Sequence, residues 1–155
     1  MMCYFEIGDF EQMEKYAKLV RDYSGTTDAE LAMMHLYTAK AKQKDGDKQS
    51  ALKEFNLAAH KGQSAASAEA KYLVALTQYE NKEYDKAQKT AFEVIEQMDE
   101  EEYWVAKSFI LLADTYARKG NMLQARSTLE SIIENYTEED DIVSTAKARL
   151  QKLKK

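Results

Sequence analysis

The sequence predicts an all-α chain of repeated helical hairpins, an α-solenoid. Three observations carry that expectation. Apolar residues recur at the i, i+3, i+4, i+7 spacing of a 3.6-residue helix. Turn residues interrupt this spacing at nearly regular intervals, and small residues return at fixed distances from each turn.

The clearest hairpin runs from Trp104 to Tyr136. Phe109, Leu112, Ala113 and Tyr116 share one helical face, and after Gly120 the spacing resumes in Ala125, Leu129 and Ile132. A glycine between two periodic runs suits a helix C-terminus, where it takes a left-handed conformation at little steric cost. Ala113 and Ala125 are small residues in bulky stripes, which lets two helix axes approach closely. The same turn aligns at Gly8, Gly46, Lys82 and Gly120, which stand 38, 36 and 38 residues apart. Five residues after each anchor stand Met13, Ala51, Ala87 and Ala125. Nine after stand Ala17, Phe55, Ala91 and Leu129, and twelve after stand Val20, Ala58, Val94 and Ile132. Seven before the last three anchors stand Ala39, Ala75 and Ala113, so the closing alanine repeats as well.

These residues resemble the tetratricopeptide repeat family, whose unit is a helix pair with small residues at fixed positions and a Gly-Asp-Tyr-like turn. The matching turns are Gly8-Asp9-Phe10, Gly46-Asp47 and Glu83-Tyr84-Asp85-Lys86-Ala87, and the best copy is Phe109 to Ile132. The chain departs from the family in three respects. It has no proline, its repeat exceeds the usual length of about 34 residues, and Lys42 stands where an aromatic is expected. The extra residues are placed in links around Ser24 to Asp28, Gly62 to Ser67 and Met98 to Glu102. The resemblance implies a right-handed superhelix of antiparallel hairpins in a single domain. Its divisions are a partial repeat at 1–25, repeats at 28–62, 65–98 and 101–136, and a capping helix at 138–155.

Taken in order, Asp9 to Tyr23 forms the second helix of the partial repeat, with Met13, Tyr16, Ala17 and Val20 inward. Only Met1 to Ile7 precede it, which is short for a first helix. On that basis the chain is expected to be the C-terminal fragment of a longer repeat protein, whose truncated end would self-associate through Met1, Met2, Tyr4, Phe5 and neighbours; its long repeats, abundant tyrosines and terminal cap resemble bacterial cell-envelope members of the family. Ser24-Gly25-Thr26-Thr27 is a stop followed by a capping signal, and Asp28 can cap the next helix. The second repeat runs from about Ala29 to Lys44, turns at Asp45-Gly46-Asp47 and returns from Lys48 to His60. That turn lacks the ladder of oxygen ligands of a calcium loop. The third repeat spans Ser67 to Met98, with Tyr72, Ala75 and Tyr79 on its first helix. Two acidic runs, Asp99 to Glu102 and Glu138 to Asp141, precede helix starts and are read as caps, Thr137 and Asp140 being spaced as a capping box. The last helix, Ile142 to about Leu153, has Ile142, Ala146, Leu150 and Leu153 on one stripe and polar residues elsewhere, as a terminal cap requires.

Composition bounds the function. With 45% hydrophobic and 32% charged residues the chain is globular, and no apolar run is long enough to span a membrane. A formal net charge of −5 disfavours nucleic acid. The cations Lys147, Arg149, Lys152, Lys154 and Lys155 are assigned to the dipole of the last helix. Cys3, the single cysteine, excludes an internal disulfide and multi-cysteine metal sites. His35 and His60 fall on different helices without ligand spacing, and no phosphate loop or nucleophile elbow occurs. No metal, cofactor or catalytic residue is therefore assigned. The compartment stays open between cytoplasm and, for a piece of an exported protein, periplasm.

The family resemblance implies a concave groove lined by the first helices. In this sequence it would comprise Phe5, Met33, Leu36, Lys40, Gln43, Lys44, Tyr72, Leu76, Tyr79, Lys107, Ile110, Asp114 and Arg118. Aromatic anchors with a polar rim suit a peptide or helix of a protein partner. Alternatives are a structural solenoid segment that self-associates, or an accessory domain of an upstream enzyme.

Overall fold

The structure, a computed structural model, describes residues 1–153, so Lys154 and Lys155 lie outside the described residues. Within this range all regular structure is helical. The helices are α1 (Met2–Glu6), α2 (Phe10–Asp22), α3 (Asp28–Lys44), α4 (Lys48–Ala59), α5 (Ala65–Glu80), α6 (Tyr84–Gln97), α7 (Glu102–Arg118), α8 (Met122–Asn135) and α9 (Ile142–Lys152). Consecutive helices pack on one another, most extensively α3 on α4 and α7 on α8. The chain forms two compact units, one from Met1 to Val74 and one from Ala75 on.

The hairpin turns share one geometry. Each places a residue at positive φ: 77° at Gly8, 84° at Gly46, 63° at Lys82 and 85° at Gly120. The amide of that residue donates three residues back, as Gly46 does to Gln43 at 3.1 Å. The next amide donates five back, as Asp47 does to Lys42 at 3.0 Å. The pairs at Gly8/Asp9, Lys82/Glu83 and Gly120/Asn121 repeat this pattern. It is the paired closure that satisfies the last carbonyls of a helix ending in a left-handed residue. The five-back donor is at once the N-cap of the following helix. Asp9 and Asp47 complete that role with their side chains, accepting from Gln12 N at 3.1 Å and Ser50 N at 3.0 Å. Glu83 and Asn121 form no such side-chain bond.

The first unit's main core gathers Leu36, Ala39, Ala51, Phe55, Ala58, Ala70 and Val74, with Phe5, Met13 and Ala41 in a smaller cluster. The second unit's core gathers Ala106, Ile110, Ala113, Leu129, Ile132, Ile142 and Ala146. The small positions fall where the alignment puts them. Ala39, Ala75 and Ala113 before the turns, and Ala51, Ala87 and Ala125 after them, are all buried. Burying a Phe or Leu contributes roughly 1.5–3 kcal/mol, so the close approach allowed by these alanines matters chiefly because it lets Phe55 pack in the core of the first unit and Leu129 in that of the second.

Several local expectations are corrected. Tyr16 is exposed, stacked on Tyr4 at 5.3 Å between centroids rather than turned inward. The cap of α3 is Thr27, not Asp28: its hydroxyl accepts from Glu30 N, while Glu30 reaches back to Thr27 N at 2.8 Å. Residues 65–67 belong to α5 and not to the link, because Ser64 accepts from Ser67 N and starts the helix there. Thr137 and Asp140 form no capping box. The helix starts later, at Ile142, whose amide donates to Asp140 Oδ1 at 2.8 Å. Glu101 and Asp141 hold N-cap positions without a side-chain bond.

Candidate functional site

The expected groove residues divide between the two units, and each unit presents its own first-helix face. In the first unit α3 sets the register. Met33, Tyr37, Lys40 and Lys44 are spaced to share one side of the helix, and Met33 is 49% exposed. Leu36, expected in the groove, is 3% exposed and belongs to the core, whereas its neighbour Tyr37 is half-buried beside Phe5. Phe5 is also buried, yet its ring face is covered by a cation, with Lys44 Nζ 4.0 Å from the centroid and 6.0 Å from that of Phe10. Phe5 meets Tyr37 edge-on at 5.4 Å, and Lys40 Nζ stands 5.0 Å from the Tyr37 centroid. Lys40 reaches forward to Glu69 on α5 at 2.6 Å. Burial and the nearby Glu69 and Glu6 carboxylates push the Tyr37 phenol above its usual value. Gln43 is exposed and Tyr72 half-buried.

Rings and ammonium groups therefore alternate across this face. Each exposed cation–ring contact contributes about 0.5–1 kcal/mol, enough to hold the side chains in place. The sequence reading found Phe5, Lys40 and Lys44 but missed Tyr37 and Phe10. The signal was available in the i, i+4, i+7, i+11 spacing of Met33, Tyr37, Lys40 and Lys44 on one helix face.

In the second unit the corresponding face is ion-paired. Arg118 Nε donates to the Tyr79 hydroxyl at 3.1 Å, and Tyr79 lies against Tyr84 at 5.6 Å. Asp114 sits 3.1 Å from Arg149 Nε on α9, in poor alignment for a hydrogen bond. Burial raises the Asp114 carboxyl above its usual value, opposed by Arg149. Arg149 is thus the partner of Asp114 rather than only a complement to its own helix. Lys107 approaches Asp141 at 3.5 Å and the Tyr103 ring at 5.2 Å. Ile110, expected in the groove, is 5% exposed and part of the core; Leu76 is half-buried.

Both histidines are engaged by a residue of their own unit. His35 Nδ1 bonds Glu54 at 2.7 Å, and His60 Nδ1 donates to the Asn56 carbonyl at 2.7 Å. Among the described residues no cluster of His, Cys, Asp and Glu could hold a metal ion, and no helix is long and apolar enough to cross a membrane.

Comparison with known proteins bears on the hairpin of α7 and α8. A family model described as a tetratricopeptide repeat matches residues 107–138. No curated protein and no solved structure matches the chain significantly. The matched stretch contains most of α7, the turn at Gly120, all of α8 and the buried alanines at 113 and 125. Residues 107–138 are thus similar to a tetratricopeptide repeat, and the other hairpins of the chain turn with the same backbone geometry.

Proposed function

We propose that this chain is a non-catalytic scaffold that holds a peptide or helix of a protein partner against the face of its first helices. The observation that carries the reading is the alternation of Phe10, Phe5 and Tyr37 with Lys44 and Lys40 beside the exposed Met33. Rings already held in place supply contact area with little ordering cost when a partner arrives. The similarity of residues 107–138 to a tetratricopeptide repeat points the same way, since such repeats serve to hold other proteins.

A photo-crosslinking residue at Met33, compared with one at the equally exposed Leu57 on α4, tests this in cells that express the protein. The expected result is one partner captured from position 33 and not from 57, lost on Lys44→Glu. Equal capture from both positions, or none from 33, refutes it.

A second reading is association of copies through α1 and α2, where Met2, Leu19 and Tyr23 are exposed. It predicts that light scattering gives a mass rising with concentration, and that Leu19→Glu abolishes the rise. A constant monomer mass rejects it.

A further inference from the structure

A cleft of about 650 Å³ lies between α7 and α8, and none of the first-helix residues discussed above lines it. Its origin is a mismatch of side-chain size. Val105 and Phe109 stand one turn apart on α7 and are only half-buried, over a floor of Ala106 and Ile132. Facing them, α8 contributes Thr128, Ser131 and Asn135, none long enough to fill the space. Asn135 spends its amide group on the Ser131 carbonyl at 2.8 Å, which leaves its side-chain oxygen as an acceptor.

Glu102 and Tyr136 line this cleft and also a second depression of about 390 Å³, which they share with Glu100, Glu138 and Glu139. Asp140 in that depression is engaged, accepting from the Tyr136 hydroxyl at 2.6 Å. Glu100, Glu138 and Glu139 make no ion pair among the described residues. The Tyr136 phenol is pushed well above its usual range, first by burial, then by Asp140 and the nearby Glu138 and Glu102. A cleft with an apolar patch thus opens onto carboxylates that form no ion pair among the described residues.

We propose that this cleft docks a cationic amphipathic peptide segment of a partner protein. An apolar side chain lies against Val105, Phe109 and Ile132, the Thr128 hydroxyl and Asn135 oxygen meet its backbone, and Lys or Arg reaches Glu138 and Glu139. Charge complementarity selects the sign. Unpaired carboxylates repel an acidic segment and attract a basic one over about 8–10 Å at moderate salt. The cleft joins an apolar patch of Val105, Ala106, Phe109 and Ile132 to polar and acidic groups at its edges, among them Asp99, Glu102, Thr128 and Asn135, a combination that suits an amphipathic ligand. The proposal is separate from the first-helix reading and stands or falls without it.

The test is selection of short random peptides displayed on phage against the purified chain, followed by fluorescence anisotropy with the enriched peptides. Enriched sequences are expected to be net basic with a large apolar residue. Ser131→Trp, which fills the cleft from an exposed position, should weaken binding about tenfold or more. Glu138→Lys with Glu139→Lys, or raised salt, should do likewise, and Lys44→Glu should change nothing. Thr128→Tyr fills the same space and decides the matter if circular dichroism shows Ser131→Trp misfolded. No enrichment, or enrichment of acidic peptides, overturns the proposal. So does binding that survives both filling variants, which would mean charge attraction without a cleft. Loss on Lys44→Glu would move the site to the first-helix face and overturn it too.

Discussion

Replacing Lys82 by glycine should stabilise the protein. Lys82 is the only non-glycine described at positive φ, at 63°, and it occupies the position held by glycine in the other three hairpin turns. A side chain in the left-handed region costs about 1–2 kcal/mol, whereas glycine adds roughly 0.5–1 kcal/mol of unfolded-chain entropy. The net gain is about 0.5–1 kcal/mol. Little opposes it, because Lys82 is exposed and makes no ion pair among the described residues. Urea unfolding followed through Trp104, the sole tryptophan and in the same unit, should show a higher midpoint at unchanged slope. Lys82→Ala is the control for loss of charge and should gain nothing. Gly120→Ala should lose about 1 kcal/mol, since an added Cβ there meets nothing within 4 Å and the whole cost is conformational. If Lys82→Gly is no more stable than Lys82→Ala, the account of these turns is wrong.

Glu83→Asp should add about 0.5–1 kcal/mol in the same assay, because Asp9 and Asp47 cap from equivalent positions and Glu83 does not; an unchanged midpoint would count against it. Ala113→Leu should cost about 1–3 kcal/mol through overpacking, since Ala113 is buried in the α7–α8 core; a melting point within a degree of the parent would contradict that packing. The Glu54 carboxyl is held below its usual value, first by the hydrogen bond from His35, against burial. A carboxyl lowered in the folded state contributes stability above its unfolded value, near 4.5, that is lost as pH falls through the folded value. Glu54→Gln should therefore cost about 1 kcal/mol at pH 7, and the difference should vanish in acid; a gap unchanged at pH 3 would rule the linkage out.

The helix register was legible in the sequence because two constraints repeat together. A left-handed turn residue and a buried alanine at fixed separation leave one way to fold each pair, and Gly46 with Ala39 and Ala51 obeys it. Caps were less legible, since Thr27 and Asp28, or Asp140 and Asp141, are chemically interchangeable in sequence and differ only in reach. Leu36 was misjudged against Tyr37 because neighbours on a helix differ by about 100°, and which one faces inward depends on where α4 and α5 press. The cleft beside Phe109 left no positive signal at all. It exists through side chains too short to close it, and Thr128 and Ser131 read in sequence as ordinary polar positions.

One residue in each hairpin turn closes the outgoing helix and opens the incoming one, which leaves those turns no freedom in length. Each is three residues, at 7–9, 45–47, 81–83 and 119–121, whereas the links between hairpins, at 23–27, 60–64, 98–101 and 136–141, vary from four to six residues. The hairpin is thus the indivisible module of the chain. Growth, shrinkage or grafting of a tag during its history, or at the bench, belongs in the links, where an added residue unties no bond shared by two helices.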